Sequence, residues 1–479
     1  MNLSLLTDFY ELSMMQGYFL RQENPSVVFD MFFRRQPFGG GFSIFAGLET
    51  ALSHIGSISF SPEDLAWLEG LGTFHKDFLE FLARLKFRGD IWAMEEGTLA
   101  FPGEPLVRVH ASLIEAQLIE SALLSILNFQ TLIATKSARI RLAARGGAVV
   151  EFGLRRAQGV DGALSASRAA FLGGASATSN TLAGRLYGIP VRGTMAHSWV
   201  MAFRSEREAF EKYAQTYPDG TVLLIDTYDT LGSGIEHAIE VGKQLKAEGH
   251  TGFGVRLDSG DLEYLSKAVR ARLDSAGLTD ARIMASNELD EHIVEQLVTR
   301  SAPIDSWGVG THLVTGGGDP ALTGVYKICA RQDGGKWVPT IKVSNNPEKV
   351  TNPGIKQVWR FTNAAGSPLA DLIGLADDPP KPGVPHQLHH PSGDYRSLVL
   401  EEYAGVAPLL TLRMNGGMVL GGSTDLPGAR SRAIGELDRL DDTYKRLINP
   451  HVYKVSLSTG LADLKAQLIR DTLTRGAHG

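Results

Sequence analysis

Through the middle of the chain, short apolar runs recur between longer stretches with helical spacing. The runs are residues 148–152, 190–194, 221–225, 253–257, 282–285 and 306–309, and each predicts a strand buried on both faces. Helix-like segments at 206–213, 235–247, 262–275 and 288–299 separate them. Strands recurring at roughly 30-residue intervals with helices between them have the rhythm of successive βα units. Polar residues follow each run directly: Arg155 and Arg156, His197 and Ser198, Asp226 with Asp229, Asp258 with Asp261, Ser286 and Asn287, then Gly310, Thr311 and His312. In a βα barrel such positions converge on the face at the strands' C-terminal ends, where active sites are built from the loops that follow. The series therefore predicts one site on a barrel, although an open doubly wound sheet would also gather some of these tips at its crevice.

The flanks read differently. Residues 1–112 mix apolar runs such as 27–33 with the turn Gly39-Gly40-Gly41 and a strand-like 106–110, which predicts an α+β domain. The longest apolar stretch, 113–136, carries Glu115, Gln117 and Glu120 near its start, whereas a membrane span needs about 20 mainly apolar residues; it predicts a buried long helix. Linking helices are expected over 113–145, the barrel with the active site over 146–325, and a β-rich segment returning to the N-terminal domain over 326–430. A helical segment is expected over 431–479. Within the β-rich part, DDPPKPGVPHQLHHP at 377–391 predicts a surface loop, and His389 and His390 lack companion metal ligands there.

Length and composition narrow the function classes. A chain of 479 residues has room for two or three domains at about 150 residues each. Hydrophobic residues at 43% and charged residues at 21% exclude wholesale disorder. The net charge of −6 supplies no basic field for nucleic acid, so an anionic ligand must be met by local cations. With Cys329 the only cysteine, neither an internal disulfide nor a multi-cysteine zinc site can form, and a reducing cytoplasm is the expected compartment. Residues 1–11 include Asp8 and Glu11 and lack the basic-then-apolar pattern of a secretory signal. Neither nucleic acid nor a membrane is an expected partner.

The strand-end residues carry recognisable chemistry. Asp226 and Asp258 each close an apolar run, where a carboxylate can hold a sugar hydroxyl or a phosphate-bound Mg²⁺. Helix capping is the competing use of such an Asp, but Asp229 and Asp261 are nearer the helix starts and better placed for it. That leaves Asp226 and Asp258 for the site. Residues 308–311 read GVGT at the end of a late strand, where glycines let backbone N–H groups approach a phosphate, although a tight turn explains them too. Phe152 with Arg155 and Arg156 offers an aromatic face and guanidinium groups for a planar anion. Together with His197 these groups point to a sugar-phosphate enzyme and leave its reaction open.

The same residues fall in a series of stretches that resembles the nicotinate phosphoribosyltransferase family. They are LTDFYELSM from Leu6, FRRQPFGGGFSIFAGLE from Phe33, EFGLRRAQG from Glu151, GGASATSN from Gly173, GTMAHSW from Gly193, IDTYDT from Ile225, VRLDSGDL from Val255, ASNELDE from Ala285 and GVGTHL from Gly308. The resemblance covers most of the first 345 residues and stops short of the segment beyond Arg360. It implies the type II phosphoribosyltransferase fold: an irregular βα barrel with an α+β, β-rich domain built from N-terminal and post-barrel segments. It implies that nicotinate and phosphoribosyl pyrophosphate give nicotinate mononucleotide and pyrophosphate, the first step of NAD salvage from nicotinate, with ATP as co-substrate and Mg²⁺ as cofactor. His197 would be phosphorylated by ATP, while Phe152 and Tyr10 sandwich the pyridine ring and Arg155 partners the substrate anion. Asp226, Arg256 and Asp258 would hold ribose, pyrophosphate and Mg²⁺, with Asp226 meeting the metal directly or through water. Gly310 and Thr311 would hold the 5′-phosphate, and Lys349 is carried over with them. The resemblance also implies a homodimer with shared sites.

The residue chemistry suits that reaction. Departing pyrophosphate leaves an oxocarbenium-like ribosyl centre, so cations must neutralise the leaving group while carboxylates fix the sugar. A unit charge pair at 4 Å is worth about 4 kcal/mol at an effective dielectric of 20, which makes Arg256 beside the phosphates a large effect. A relative using nicotinamide would carry an acid near Ser179, whose hydroxyl suits the carboxylate instead. LLIDTYDTLGSG hints at a type I phosphoribosyltransferase, but its two adjacent acids are absent. A catalytically silent metabolite-binding protein would have no need to keep His197, Asp226, Arg256 and Asp258 together.

Overall fold

The computed structural model describes residues 3–346, 349–392, 397–421 and 425–476. Two compact units result, one from Ile133–Pro320 and the other from Met1–Leu132 with Ala321–Gly479. The division falls inside helix Glu120–Ala143. That helix and the shorter Leu113–Leu118 are the linking helices over 113–145, with the long apolar stretch divided between them, and Ser112 starts the shorter one through a capping box with Glu115.

In the Ile133–Pro320 unit, six parallel strands lie side by side in the order Ala177–Thr178, Ala148–Glu151, Ser306–Val309, Arg282–Ala285, Gly254–Leu257 and Val222–Leu224. This is the chain order read around a ring, with the last strand paired on the first from Ser306↔Ala148 to Val309↔Glu151. A doubly wound sheet would reverse its order at a switch point, so the cyclic order identifies a βα barrel. These strands need no polar alternation: Leu223, Leu224, Val255, Leu257 and Ile283 are all fully buried, because helices cover the outside and side chains fill the inside.

Two segments depart from expectation. The run at 190–194 makes only one bridge, Val191 to Thr178, since Pro190 has no N–H to give and Gly193 has no side chain to pack. Among the described residues no ladder joins it to Val222–Leu224, so the barrel is irregular there. Conversely, Ala177–Thr178 is a strand that no apolar run announced; pairing with Ala148–Glu151 creates it. The helix starts follow local chemistry. Asp261 accepts the N–H groups of Glu263 and Tyr264, and Asp290 those of His292 and Ile293, which begins that helix at Glu291 instead of 288.

The second unit contains a seven-stranded sheet in which Ser26–Phe33 pairs antiparallel with Val107–Ser112 on one side and with Gly324–Asp333 on the other. Segments some 300 residues apart thus share one core, with Val27, Met31, Phe33, Val107 and Tyr326 buried in it. A second sheet of six strands includes Lys356–Thr362, Pro368–Leu375 and Val455–Leu457. The expected loop at 377–391 holds one of its strands, His386–His389, where His389 Nε2 lies 3.1 Å from Thr459 Oγ1. Among the described residues no helix is long and apolar enough to cross a membrane.

Candidate active site

The barrel's strand ends enclose a cavity of about 310 Å³, lined by Phe152, Leu154, Arg155, Ser179, Gly193, Thr194, Met195, Ala196, His197, Leu224, Arg256 and Asp258. Arg256 is on strand Gly254–Leu257 and Asp258 follows it directly. Residues two apart on a strand share a face, so the guanidinium and the carboxylate meet: Arg256 Nη2 donates to Asp258 Oδ1 at 2.8 Å. Arg256 also donates from Nε to Ser286 Oγ at 2.8 Å and from Nη1 to Thr194 Oγ1 at 3.0 Å and the Met195 carbonyl at 3.3 Å. Its planar fork is fixed in place, and its Cζ lies 5.6 Å from the centre of the Phe152 ring. Burial opposes ionisation of Asp258, but the Ser286 hydroxyl hydrogen bond and the Arg256 charge outweigh it and hold this carboxyl below the usual range.

Phe152 owes its place to two glycines. A Cβ on Gly308 would come within 2.6 Å of the Phe152 ring, and one on Gly153 would collide with the Val314 side chain. Gly308 therefore serves ring packing. Gly310 is nearby, 3.3 Å from the Phe152 carbonyl to a notional Cβ, and caps the one-turn helix Thr311–Val314. Neither Gly310 nor Thr311 lines the cavity; Thr311 Oγ1 instead faces Glu288 at 3.5 Å.

His197 begins helix His197–Met201 and is about two-fifths exposed, with its Nε2 3.2 Å from Asp226 Oδ1. The Asp226 side chain is fully buried, and its Oδ2 accepts the Asp258 N–H at 2.9 Å and the Ser259 hydroxyl at 2.6 Å. Asp226 therefore backs the histidine and does not point into the cavity. Asp229 and Asp261 behave as caps, Asp229 taking the Gly232 N–H at 2.9 Å.

The structure thus gathers Phe152, Arg155, Ser179, His197, Arg256 and Asp258 around one space, with Asp226 behind them. Tyr10 belongs to the other unit, on helix Phe9–Arg21, half-exposed and with its hydroxyl 3.4 Å from Glu11 Oε1. Burial, followed by the charges of Glu120, Glu11 and Asp8, pushes that phenol up to about 12. Lys349 is likewise in the other unit. Sequence reasoning missed Thr194 and did not assign Ser286 a role, because isolated hydroxyls carry no spacing signal.

No cluster of three or more His, Cys, Asp or Glu side chains suited to a metal occurs among the described residues. Asp226 Oδ2 accepts two protein hydrogen bonds and Oδ1 faces only His197, which leaves Oδ1 a lone pair for a magnesium ion carried in by a phosphate ligand, though not a cage of protein ligands.

Three family models match the chain in order: the nicotinate phosphoribosyltransferase N-terminal domain over residues 5–128, the nicotinate phosphoribosyltransferase family over 148–343, and its C-terminal domain over 355–465. The last extends the likeness past Arg360, where the resemblance read from the motifs fades. Nicotinate phosphoribosyltransferase of Bacillus subtilis is 43% identical over 476 residues, covering 99% of this chain and 96% of its own length. Human nicotinic acid phosphoribosyltransferase superposes with a TM-score of 0.84 at 32% identity, covering 97% of this chain and 99% of that one. The nicotinate-nucleotide pyrophosphorylase of Pyrococcus furiosus shares the fold, with a TM-score of 0.70 at 21% identity over 91% of this chain and 96% of that one. On this agreement of models, sequence and structure, the chain belongs to the nicotinate phosphoribosyltransferase family.

Proposed function

We propose that this enzyme makes nicotinate mononucleotide and pyrophosphate from nicotinate and phosphoribosyl pyrophosphate, for salvage of nicotinate into NAD in the cytoplasm, with ATP hydrolysis coupled. The observation that carries the reading is the convergence on one cavity of an aromatic ring, two guanidinium groups, a hydroxyl and the His197–Asp226 pair. Phe152 supplies a face for the pyridine ring, and Arg155 with Ser179 supplies donors for its carboxylate. The ring nitrogen then attacks C1 of the ribose as the bond from C1 to the diphosphate oxygen breaks. Arg256 and Asp258 are pre-set by Ser286 and Thr194, so they can meet diphosphate and ribose without reorganising.

Magnesium enters with the diphosphate as part of the substrate, and when bound it neutralises charge on the leaving group. Asp226 would meet that ion directly or through water. Its contact with Nε2 suits His197 to accept phosphate: an ionised Asp226 holds the hydrogen on Nε2 and leaves the lone pair on Nδ1. Attack of Nδ1 on the γ-phosphorus of ATP expels ADP and places a doubly charged group at the cavity rim. The working unit is a homodimer whose partner brings Tyr10 as the second face for the pyridine.

The test is turnover of the purified chain with phosphoribosyl pyrophosphate and Mg²⁺, measuring nicotinate mononucleotide and pyrophosphate with and without ATP. Nicotinate is expected to react and nicotinamide to react poorly, with ATP raising the yield. Equal use of nicotinamide, or no pyrophosphate release, refutes the reading.

A further inference from the structure

Glu151 closes barrel strand Ala148–Glu151 directly before Phe152, yet it does not line the cavity and is almost wholly buried. Among the described residues its carboxylate gathers three donors and no cation. Oε1 accepts the Gly153 N–H, while Oε2 accepts the Ser167 hydroxyl at 2.9 Å and the Thr178 hydroxyl at 2.5 Å. The Glu151 carbonyl accepts the Ser179 N–H at 2.8 Å. Thr178 Oγ1 in turn accepts the Asn180 N–H at 2.9 Å, and Asn180 Nδ2 reaches Ser167 Oγ at 3.2 Å. The peptide that follows Phe152 and the backbone on both sides of Ser179 are therefore anchored to one residue.

Burying a carboxylate without a cation is costly and is tolerated where hydrogen bonds replace its water. An apolar residue would end this strand at less cost, so packing alone does not account for the acid. Phe152 and Ser179 come from neighbouring strands, joined by the short pairing of Val150 with Ala177 and Glu151 with Thr178 and by the Ser176 hydroxyl donating to the Val149 carbonyl. A two-residue ladder is a weak constraint on their separation. The carboxylate adds a side-chain clamp across that same junction.

We infer that Glu151 is a positioning residue for nicotinate: its carboxylate ties the Phe152–Gly153 turn to the Thr178–Ser179 strand end and so sets the gap between ring face and hydroxyl. The inference rests on the nicotinate reading of the cavity. It assigns Glu151 no contact with substrate and no part in the diphosphate half of the site, which Arg256, Asp258 and Ser286 hold separately.

Glu151→Gln preserves size but turns one acceptor into a donor, so either the Gly153 N–H or the Thr178 hydroxyl loses its acceptor, while Ser167 can still donate to the Ala163 carbonyl at 3.0 Å. Steady-state kinetics are read for each substrate with the other saturating. The expected result is a KM for nicotinate raised roughly five- to hundredfold, the range a mispaired buried polar group produces, with the KM for phosphoribosyl pyrophosphate unchanged. Thr178→Val, which removes one donor and keeps shape, should raise only the nicotinate KM and by less; it carries the test alone if Glu151→Gln does not fold. Equal rises in both KM values would mean general loosening and overturn the positioning role, as would wild-type values in both variants. A wild-type chain that fails to turn over nicotinate refutes the underlying reading, a result distinct from a working wild type matched by its variants.

Discussion

Arg256 and Asp258 are legible as a pair because their spacing on a strand places both on one face, and the structure joins them at 2.8 Å. Asp226 is legible as a strand-end acid but not as a buried one. Its depth depends on the Asp258 N–H and the Ser259 hydroxyl, contacts across neighbouring loops that no local pattern encodes. The distinction matters for His197, because an acid behind the ring orients it whereas an acid in the cavity would bind ligand. Nicotinate's ring nitrogen is a free nucleophile and needs no proton removed, so on the proposed reaction His197 would serve ATP and not glycosyl transfer. His197→Ala should abolish nicotinate-dependent ATP hydrolysis and the acid-labile phosphate on the protein, while a slow ATP-independent transfer persists at high substrate. Phosphate release in step with product in that variant would remove His197 from this role.

Among the elements, the strands at 148–151, 254–257, 282–285 and 306–309 and the helices at 235–247 and 262–275 follow from apolar periodicity, since barrel strands are buried on both faces and read as continuous runs. Ala177–Thr178 does not, because two residues cannot display a period and only the neighbouring strand makes them extended. The glycines of GVGT suggest a backbone nest for phosphate; the first of them instead clears space for Phe152. A methyl at Gly308 would meet Phe152 Cδ2 at 2.6 Å and Met284 Cε at 3.0 Å, so the ring must move, at a cost of about 1–3 kcal/mol for overpacking. Gly308→Ala should therefore lower thermal stability and raise the nicotinate KM roughly tenfold, equivalent to about 1.4 kcal/mol of lost binding. An unchanged nicotinate KM in a destabilised variant would show that the Phe152 ring does not form part of the pyridine site.

For the whole molecule, composition and strand rhythm indicate an α/β enzyme, but they are silent on which distant segments pair. The register Met31↔Tyr326 links residues with nearly 300 others between them, and such pairing is decided by complementary buried faces in the folded chain. The largest step beyond one chain concerns Tyr10, half-exposed on its helix beside exposed Leu6, Phe9 and Met14. Its phenol, pushed up to about 12 by burial and then by neighbouring carboxylates, stays neutral at every working pH and offers a plain aromatic face. If the partner subunit supplies that face to the barrel site, Tyr10→Ala and Asp258→Ala damage different halves of one composite site. Each variant alone should be nearly inactive, yet in an equal mixture that exchanges subunits half the dimers are mixed and each holds one intact site, so about a quarter of wild-type activity should return for a two-fold dimer. Native mass spectrometry establishes the exchange and nicotinate turnover reads the recovery. Mixed dimers without recovered activity would place Tyr10 and Asp258 in the same chain's site or remove Tyr10 from it.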